Sequence, residues 1–290
     1  MTPAGSRCSH GVPRGSSGGA RRRRAAPSRP WRAEPMEIIG SGFLSRHLRA
    51  LAHRHPHAVA LAAGVSRVGL NDEEVFAREA RLVVDVARRC RETGRTLVFF
   101  STASAGVYSG PGCSGREDCP HPTSPYGHHK LAMERLVRES GCSWLILRLS
   151  HLVGRHQASH QLVPAMVRQV ESGTARIFVH TRRDLLDIRH FMHIIDALLA
   201  AGVAGDTINV ASGTAVPMDD ITTHIADLLG RRPDREYVEL GSDHQVSVRK
   251  LHDLLPDTGS ELQYEDYRAL LDRYVPHYAS RVAAHGAWPH

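Results

Sequence analysis

The stretch Ile38-Ile39-Gly40-Ser41-Gly42-Phe43-Leu44-Ser45-Arg46-His47-Leu48 reads as a short apolar strand that turns through glycines into a helix. Glycine in such a turn lets the backbone come close to a phosphate, and the next helix presents unpaired amides. Gly40, Gly42 and Ser45 fit G-x-G-x-x-G with a serine at the third place, where a small side chain suits close helix–strand packing. By itself the stretch is equally an ordinary turn, so its meaning depends on the rest of the chain.

Downstream of it, apolar runs alternate with amphipathic stretches. Strands are expected at 36–39, 57–63, 95–101 and 144–149, and helices at 43–55, 72–92 and 126–140. The strands are continuously apolar, as they must be when helices cover both faces of a parallel sheet. The fold class is therefore α/β, a Rossmann-like doubly wound parallel sheet. Beyond residue 150 the pattern loosens, with helices expected at 161–172, 189–201, 217–230 and 263–275 and short strands near 177–180, 206–210 and 236–239. We divide the chain into a basic tail (1–35), a dinucleotide-binding core (36–160) and a mainly substrate-binding lobe (161–290).

Charge supports that division. The whole chain carries +7, but residues 1–35 hold eight Arg and one Glu, so the remainder is neutral. The tail is rich in Gly, Ser, Pro and Arg and has little to bury, which predicts disorder. A transit peptide or a nucleic-acid-binding arm are its alternative readings, and Met36, just before the first strand, is the expected start of the folded part. A neutral folded part argues against nucleic acid as a partner. Five cysteines (Cys8, Cys90, Cys113, Cys119, Cys142) contain no C-x-x-C, and no apolar run approaches the length of a membrane span, so a cytoplasmic protein with no membrane partner is expected.

Chemistry concentrates at Ser124-Pro125-Tyr126-Gly127-His128-His129-Lys130. Residues i and i+4 share a helix face, so the Tyr126 phenol and the Lys130 ammonium meet the same space. A neighbouring ammonium favours the phenolate and suits the phenol to acid/base work. Upstream, Phe99-Phe100-Ser101-Thr102-Ala103-Ser104 brings an apolar strand into small hydroxyl residues at its carboxyl end, where such sheets react.

Together these residues resemble the extended short-chain dehydrogenase/reductase family, the branch of NAD-dependent nucleotide-sugar epimerases, dehydratases and ketoreductases. Several ordered stretches between about residues 36 and 256 carry the resemblance: Glu117-Asp118-Cys119-Pro120 before the tyrosine, Leu147-Arg148-Leu149-Ser150-His151, Arg183-Asp184-Leu185-Leu186-Asp187-Ile188 and Asn209-Val210-Ala211-Ser212-Gly213. The resemblance implies NAD or NADP as cofactor, held by Gly40, Gly42, Phe43, Leu44, Ala62, Ala63 and Lys130. It implies Tyr126 as acid/base, Lys130 as the group that lowers its pKa, and Ser104 as the hydroxyl partner, with Thr102 or Ser101 as the fallback. Arg183, Thr102 and His151 fall at substrate positions; the alternative for Arg183 is a surface ion pair with Asp184. Two histidines at His190 and His193 share a helix spacing but lack a carboxylate to complete a ligand set, so no metal is expected.

Two departures stand out. In the family's frame the glycine fingerprint falls on Ile39, Gly42 and Ser45. Leu61-Ala62-Ala63, which resembles the end of the family's fourth strand, comes only about twenty residues after Gly42. The second and third strands of the usual sheet are therefore expected to be missing, together with the residue that reads the adenosine ribose. A loosely held adenosine favours net reduction of a sugar, nucleotide-linked in this family, over epimerisation, which needs the cofactor retained; a non-catalytic dinucleotide-binding protein ranks below both. A 4,6-dehydratase would carry an acidic pair where this chain has Ala105-Gly106. The first strand is left at a sheet edge, which a homodimer would cover.

Overall fold

The computed structural model describes residues 34–66, 71–104, 106–108, 114–239, 245–256 and 266–285. The tail through residue 33, Cys8, Cys113 and Ala105 lie outside the described residues. The main sheet has five parallel strands in the order β1 (Glu37–Ile39), β2 (Ala58–Leu61), β3 (Thr96–Thr102), β4 (Ser143–Leu149) and β8 (Asp206–Val210). The register runs Ile39↔Leu61, Leu61↔Phe99 and Phe99↔Ile146. In the described sheet β1 is an edge strand whose single neighbour is β2, so the compressed cofactor half read from the sequence is present.

Alternation along the strands sorts two cores. Ala58, Ala60, Val98, Phe100, Leu145 and Leu147 face α1 (Phe43–Leu48) and α5 (Ile188–Ala200). Val59, Leu61, Leu97, Phe99 and Ile146 face α2 (Glu73–Thr93) and α3 (Pro125–Glu139). Each step from β1 to β4 moves in one direction across the sheet, yet α1 lies on the opposite face from α2 and α3. The β1–α1–β2 crossover is therefore opposite in hand to the two after it. Parallel crossovers are almost always right-handed, so the exception needs a physical cause, and the missing strands supply one.

Local chemistry sets the element ends. Asp72 caps α2 by accepting from the Glu74 and Val75 amides at 3.0 and 3.1 Å, with Glu73 and Glu74 in the first turn. Helix α1 ends at Leu48 and passes into a single tight turn, Arg49–Leu51, short of the expected residue 55. Pro56 disfavours helical backbone at His55, and the chain must turn back at once to reach β2.

The C-terminal part packs α4 (Leu162–Ser172), α6 (Met218–Leu229) and α8 (Tyr267–His285) around Val167, Ile221, Leu271 and Tyr278. Beside them lie a parallel pair, β6 (Thr174–Phe178) with β10 (Asp234–Val238), and a three-stranded sheet of β5 (His151–Val153), β7 (Arg182–Asp187) and β9 (Ala215–Pro217). These three strands and the short α7 (Arg249–Leu254) were not expected from periodicity; pieces of three to six residues carry too few alternations to register.

Candidate active site

Helix α3 is started by its own sequence. Ser124 accepts a hydrogen bond from the Gly127 amide at 3.1 Å and Pro125 occupies the first turn, so Tyr126 and Lys130 both begin the buried face. Gly127 makes the approach possible: a Cβ there would stand 1.8 Å from the Gly106 carbonyl oxygen. The loop after β3 can thus press against the helix start, and its hydroxyls come level with the phenol.

A cleft of about 790 Å³ opens at the carboxyl ends of these strands. Of the residues expected at the site, Gly42, Phe43, Leu44, Ala62, Thr102, Ser104, Tyr126, Lys130, His151 and Arg183 line it. Gly40 and Ala63 do not. Gly40 has φ +130° and its Cβ would lie 2.5 Å from the Ala62 carbonyl oxygen, so this glycine serves the close packing of the turn against the end of β2. Gly42, by contrast, would direct a Cβ into open space, which fits a loop that a phosphate can approach. Ser45 is buried, and its hydroxyl donates to the Gly42 carbonyl at 2.8 Å. The serine thus braces the loop.

A buried carboxylate, Glu79, joins the expected Tyr–Lys pair. Burial pushes the Tyr126 hydroxyl up to about 12; a hydrogen bond with Thr102 opposes this, and the Glu79 carboxylate adds to it. The Lys130 ammonium is held at 3.1 Å by Glu79, both side chains being almost wholly buried (2% and 4% exposed). Glu79 also accepts from His129 Nε2 at 2.8 Å and from the Val65 amide at 3.1 Å. Burial works against its charge, but these three partners together hold the carboxyl down to about 2. The Thr102 hydroxyl is the one that lowers the phenol, whereas the Ser104 hydroxyl accepts from the Gly106 amide at 3.3 Å. Ser101, the other fallback, donates to Glu134 at 2.6 Å.

That Glu134 belongs to a second buried network. Arg148 on β4 meets it through two bonds of 2.8 Å and reaches the Tyr108 hydroxyl at 2.7 Å; Tyr108 in turn donates to Asn209 Oδ1 at 2.7 Å. Burial opposes the charge on Glu134, and the Arg148 bonds overcome it and hold its carboxyl low. Two stretches that carried the family resemblance, around Arg148 and Asn209, thus join Tyr108 in locking the loop after β3, β4 and β8 together beneath the cleft.

Arg183 departs from its surface-pair alternative. Asp184 is buried and accepts from the Ser212 amide at 2.8 Å, while Arg183 lines the cleft and donates to the Arg182 carbonyl. Burial alone lowers the Arg183 guanidinium, and among the described residues no ion pair is made by it. No group of three or more His, Cys, Asp or Glu side chains converges as a metal site, and no helix is long and apolar enough to cross a membrane, among the described residues.

Glu79 is the site residue that sequence reasoning missed. Its signal was present: a carboxylate within the apolar face that Val83 and Val86 continue on α2. Gly64, Val65, Gln157 and His160, which also line the cleft, carried no comparable mark.

A parallel sheet with a glycine loop after its first strand, and a Tyr-x-x-x-Lys pair facing hydroxyls at the end of a central strand, defines a nicotinamide-dependent enzyme of the short-chain dehydrogenase/reductase type. The chain belongs to the NAD dependent epimerase/dehydratase family, whose sequence profile matches residues 10–211, and its cofactor is NAD or NADP. It is 27% identical over 223 residues to dTDP-6-deoxy-L-talose 4-dehydrogenase (NAD(P)(+)) of Kitasatospora kifunensis, covering 71% of this chain and 68% of that one. It is 29% identical over 150 residues to the probable low-salt glycan biosynthesis reductase Agl14 of Haloferax volcanii, half the length of each. In fold it resembles RMD from Pseudomonas aeruginosa complexed with NADPH, with a TM-score of 0.68 at 22% identity over 86% of this chain and 100% of that one.

Proposed function

We propose that the chain is an NAD(P)-dependent ketoreductase acting on a nucleotide-linked sugar. The observation that carries this reading is that Gly42, Thr102, Ser104, Tyr126, Lys130 and Arg183 line one cleft. Gly42, Phe43, Leu44 and Ala62 would hold the pyrophosphate side of the cofactor, and Lys130 the ribose beside the nicotinamide. The nicotinamide supplies the hydride.

Thr102 and Ser104 donate hydrogen bonds to the carbonyl oxygen of the sugar and so orient it. As the carbon is reduced, Tyr126 gives its proton to that oxygen, leaving an alcohol and a phenolate. A phenol held near 12 keeps its proton at neutral pH until this demand arises. Lys130, four residues on, stabilises the phenolate once Glu79 shares it. Arg183, a cation with no carboxylate partner among the described residues, suits the diphosphate of the sugar donor.

Reduction is favoured over epimerisation because an edge β1 leaves the adenosine end without its usual strands, so the cofactor exchanges between turnovers. The names of the two curated relatives, a dehydrogenase and a reductase, point the same way. The chain divides its labour accordingly, with 36–160 holding the cofactor and 161–290 mainly the substrate. Incubation with NADH or NADPH and a panel of nucleotide-linked keto-sugars should consume the reduced nicotinamide. Isomerised nucleotide sugars without such consumption would replace this reading with an epimerase.

A further inference from the structure

With two strands missing, some other part of the chain must meet the adenosine end. A second cavity of about 530 Å³ shares Gly42, Phe43, Ser66, Gln157, His160 and Gln161 with the cleft. Its other walls include Arg46 on α1, His156 in the loop after β5, and His277 and Arg281 on α8. No Asp or Glu lines it among the described residues.

Its charges act on a common space. Burial pushes the His156 imidazole down, and Arg46, His47, Arg281 and Arg155 all push it further the same way. His277 is lowered by burial and then by Arg155, Arg281 and His156. Arg46 on α1 and Arg281 on α8 thus flank, with neutral imidazoles between them, a cavity that no described carboxylate lines. His156 moreover holds φ 71°, a backbone that side chains rarely adopt, and sets its ring 6.0 Å from that of His47.

A dinucleotide site chooses between its cofactors at the adenosine ribose. A carboxylate accepts the 2′-hydroxyl of NAD, whereas an arginine accommodates the 2′-phosphate of NADP. This cavity lies beside the Gly42 loop and, among the described residues, has the second chemistry only. We propose that it receives the 2′-phosphate of NADP(H), so that Arg46, Arg281 and the intervening histidines replace the ribose contacts of the missing strands and the chain selects NADP(H) over NAD(H). The inference rests on Gly42 as the pyrophosphate contact.

The test is fluorescence titration of the full chain with NADPH and with NADH, for wild type, Arg46→Glu and Arg281→Glu, with 2′,5′-ADP and 5′-ADP as competitors. We expect NADPH to bind at least about tenfold tighter than NADH, one charge-assisted contact's worth. Each variant should lose most of that ratio while its NADH affinity stays within about twofold. 2′,5′-ADP should displace NADPH from wild type better than 5′-ADP does, a result that holds even if a variant fails to fold. Equal binding of the two dinucleotides by wild type, equal displacement by the two competitors, or an unchanged ratio in variants that still bind NADH would overturn the 2′-phosphate site and leave the dinucleotide reading standing. Binding of neither dinucleotide would overturn both.

Discussion

At Lys130 two demands compete for one ammonium. The sequence spacing directs it toward Tyr126, and the fold gives it Glu79, which lies 51 residues away in sequence. Helical spacing is local and legible, whereas a buried partner on another helix depends on packing; the Tyr126–Lys130 spacing could therefore be read from the chain and the pairing of Lys130 with Glu79 could not. Glu79 also pushes the phenol up, so Glu79→Gln should shift the alkaline limb of the kcat/KM profile to lower pH by about one unit. An unmoved limb would show that the carboxylate does not act on Tyr126. The hydroxyls divide similarly. Ser104 and Thr102 both line the cleft, and the Thr102 hydroxyl is the one that lowers the phenol. Thr102→Ala should lower kcat by about a hundredfold and Ser104→Ala by clearly less, in parallel initial-rate assays.

Among the elements, the hand of β1–α1–β2 follows from what is missing. In the usual order 3-2-1-4-5-6 the first crossover steps to the other side of the first strand, and α1 occupies the face that such a step requires. Here α1 keeps that face while the chain steps directly to β2, which reverses the hand. The loss of two strands was legible because about twenty residues hold only one helix and one strand. The hand was not, because periodicity reports that a helix has an apolar face without saying which side of the sheet it covers. Contact between α3 and the loop after β3 is equally tight. Gly127→Ala would drive a Cβ against the Gly106 carbonyl, and should cost about 1–3 kcal/mol by urea unfolding together with most of the turnover, since Tyr126 is its neighbour. Unchanged stability would mean that the approach is looser than described.

Across the whole molecule two buried carboxylates brace the helices that carry the site, Glu134 tying α3 to the sheet and Glu79 tying α2 to α3. Glu134 is wholly buried against Arg148, so Glu134→Gln should destabilise by about 3–5 kcal/mol, measured as a lower urea midpoint. Glu79 acts through pH as well. Its folded value of about 2 lies below the ordinary 4.5, so its contribution is full above about pH 4.5 and is lost as pH falls toward 2. By linkage the difference amounts to on the order of 3 kcal/mol. Both carboxylates would serve the event proposed for the cleft, the delivery of a tyrosine proton to a sugar carbonyl. Its most direct measurement is the loss of reduced-nicotinamide absorbance with a nucleotide-linked keto-sugar, for wild type and for Tyr126→Phe of matched stability. We predict consumption by wild type and at least about a hundredfold slower consumption by the variant, the usual loss when a general acid is removed. Equal rates in the two proteins would contradict proton delivery by Tyr126.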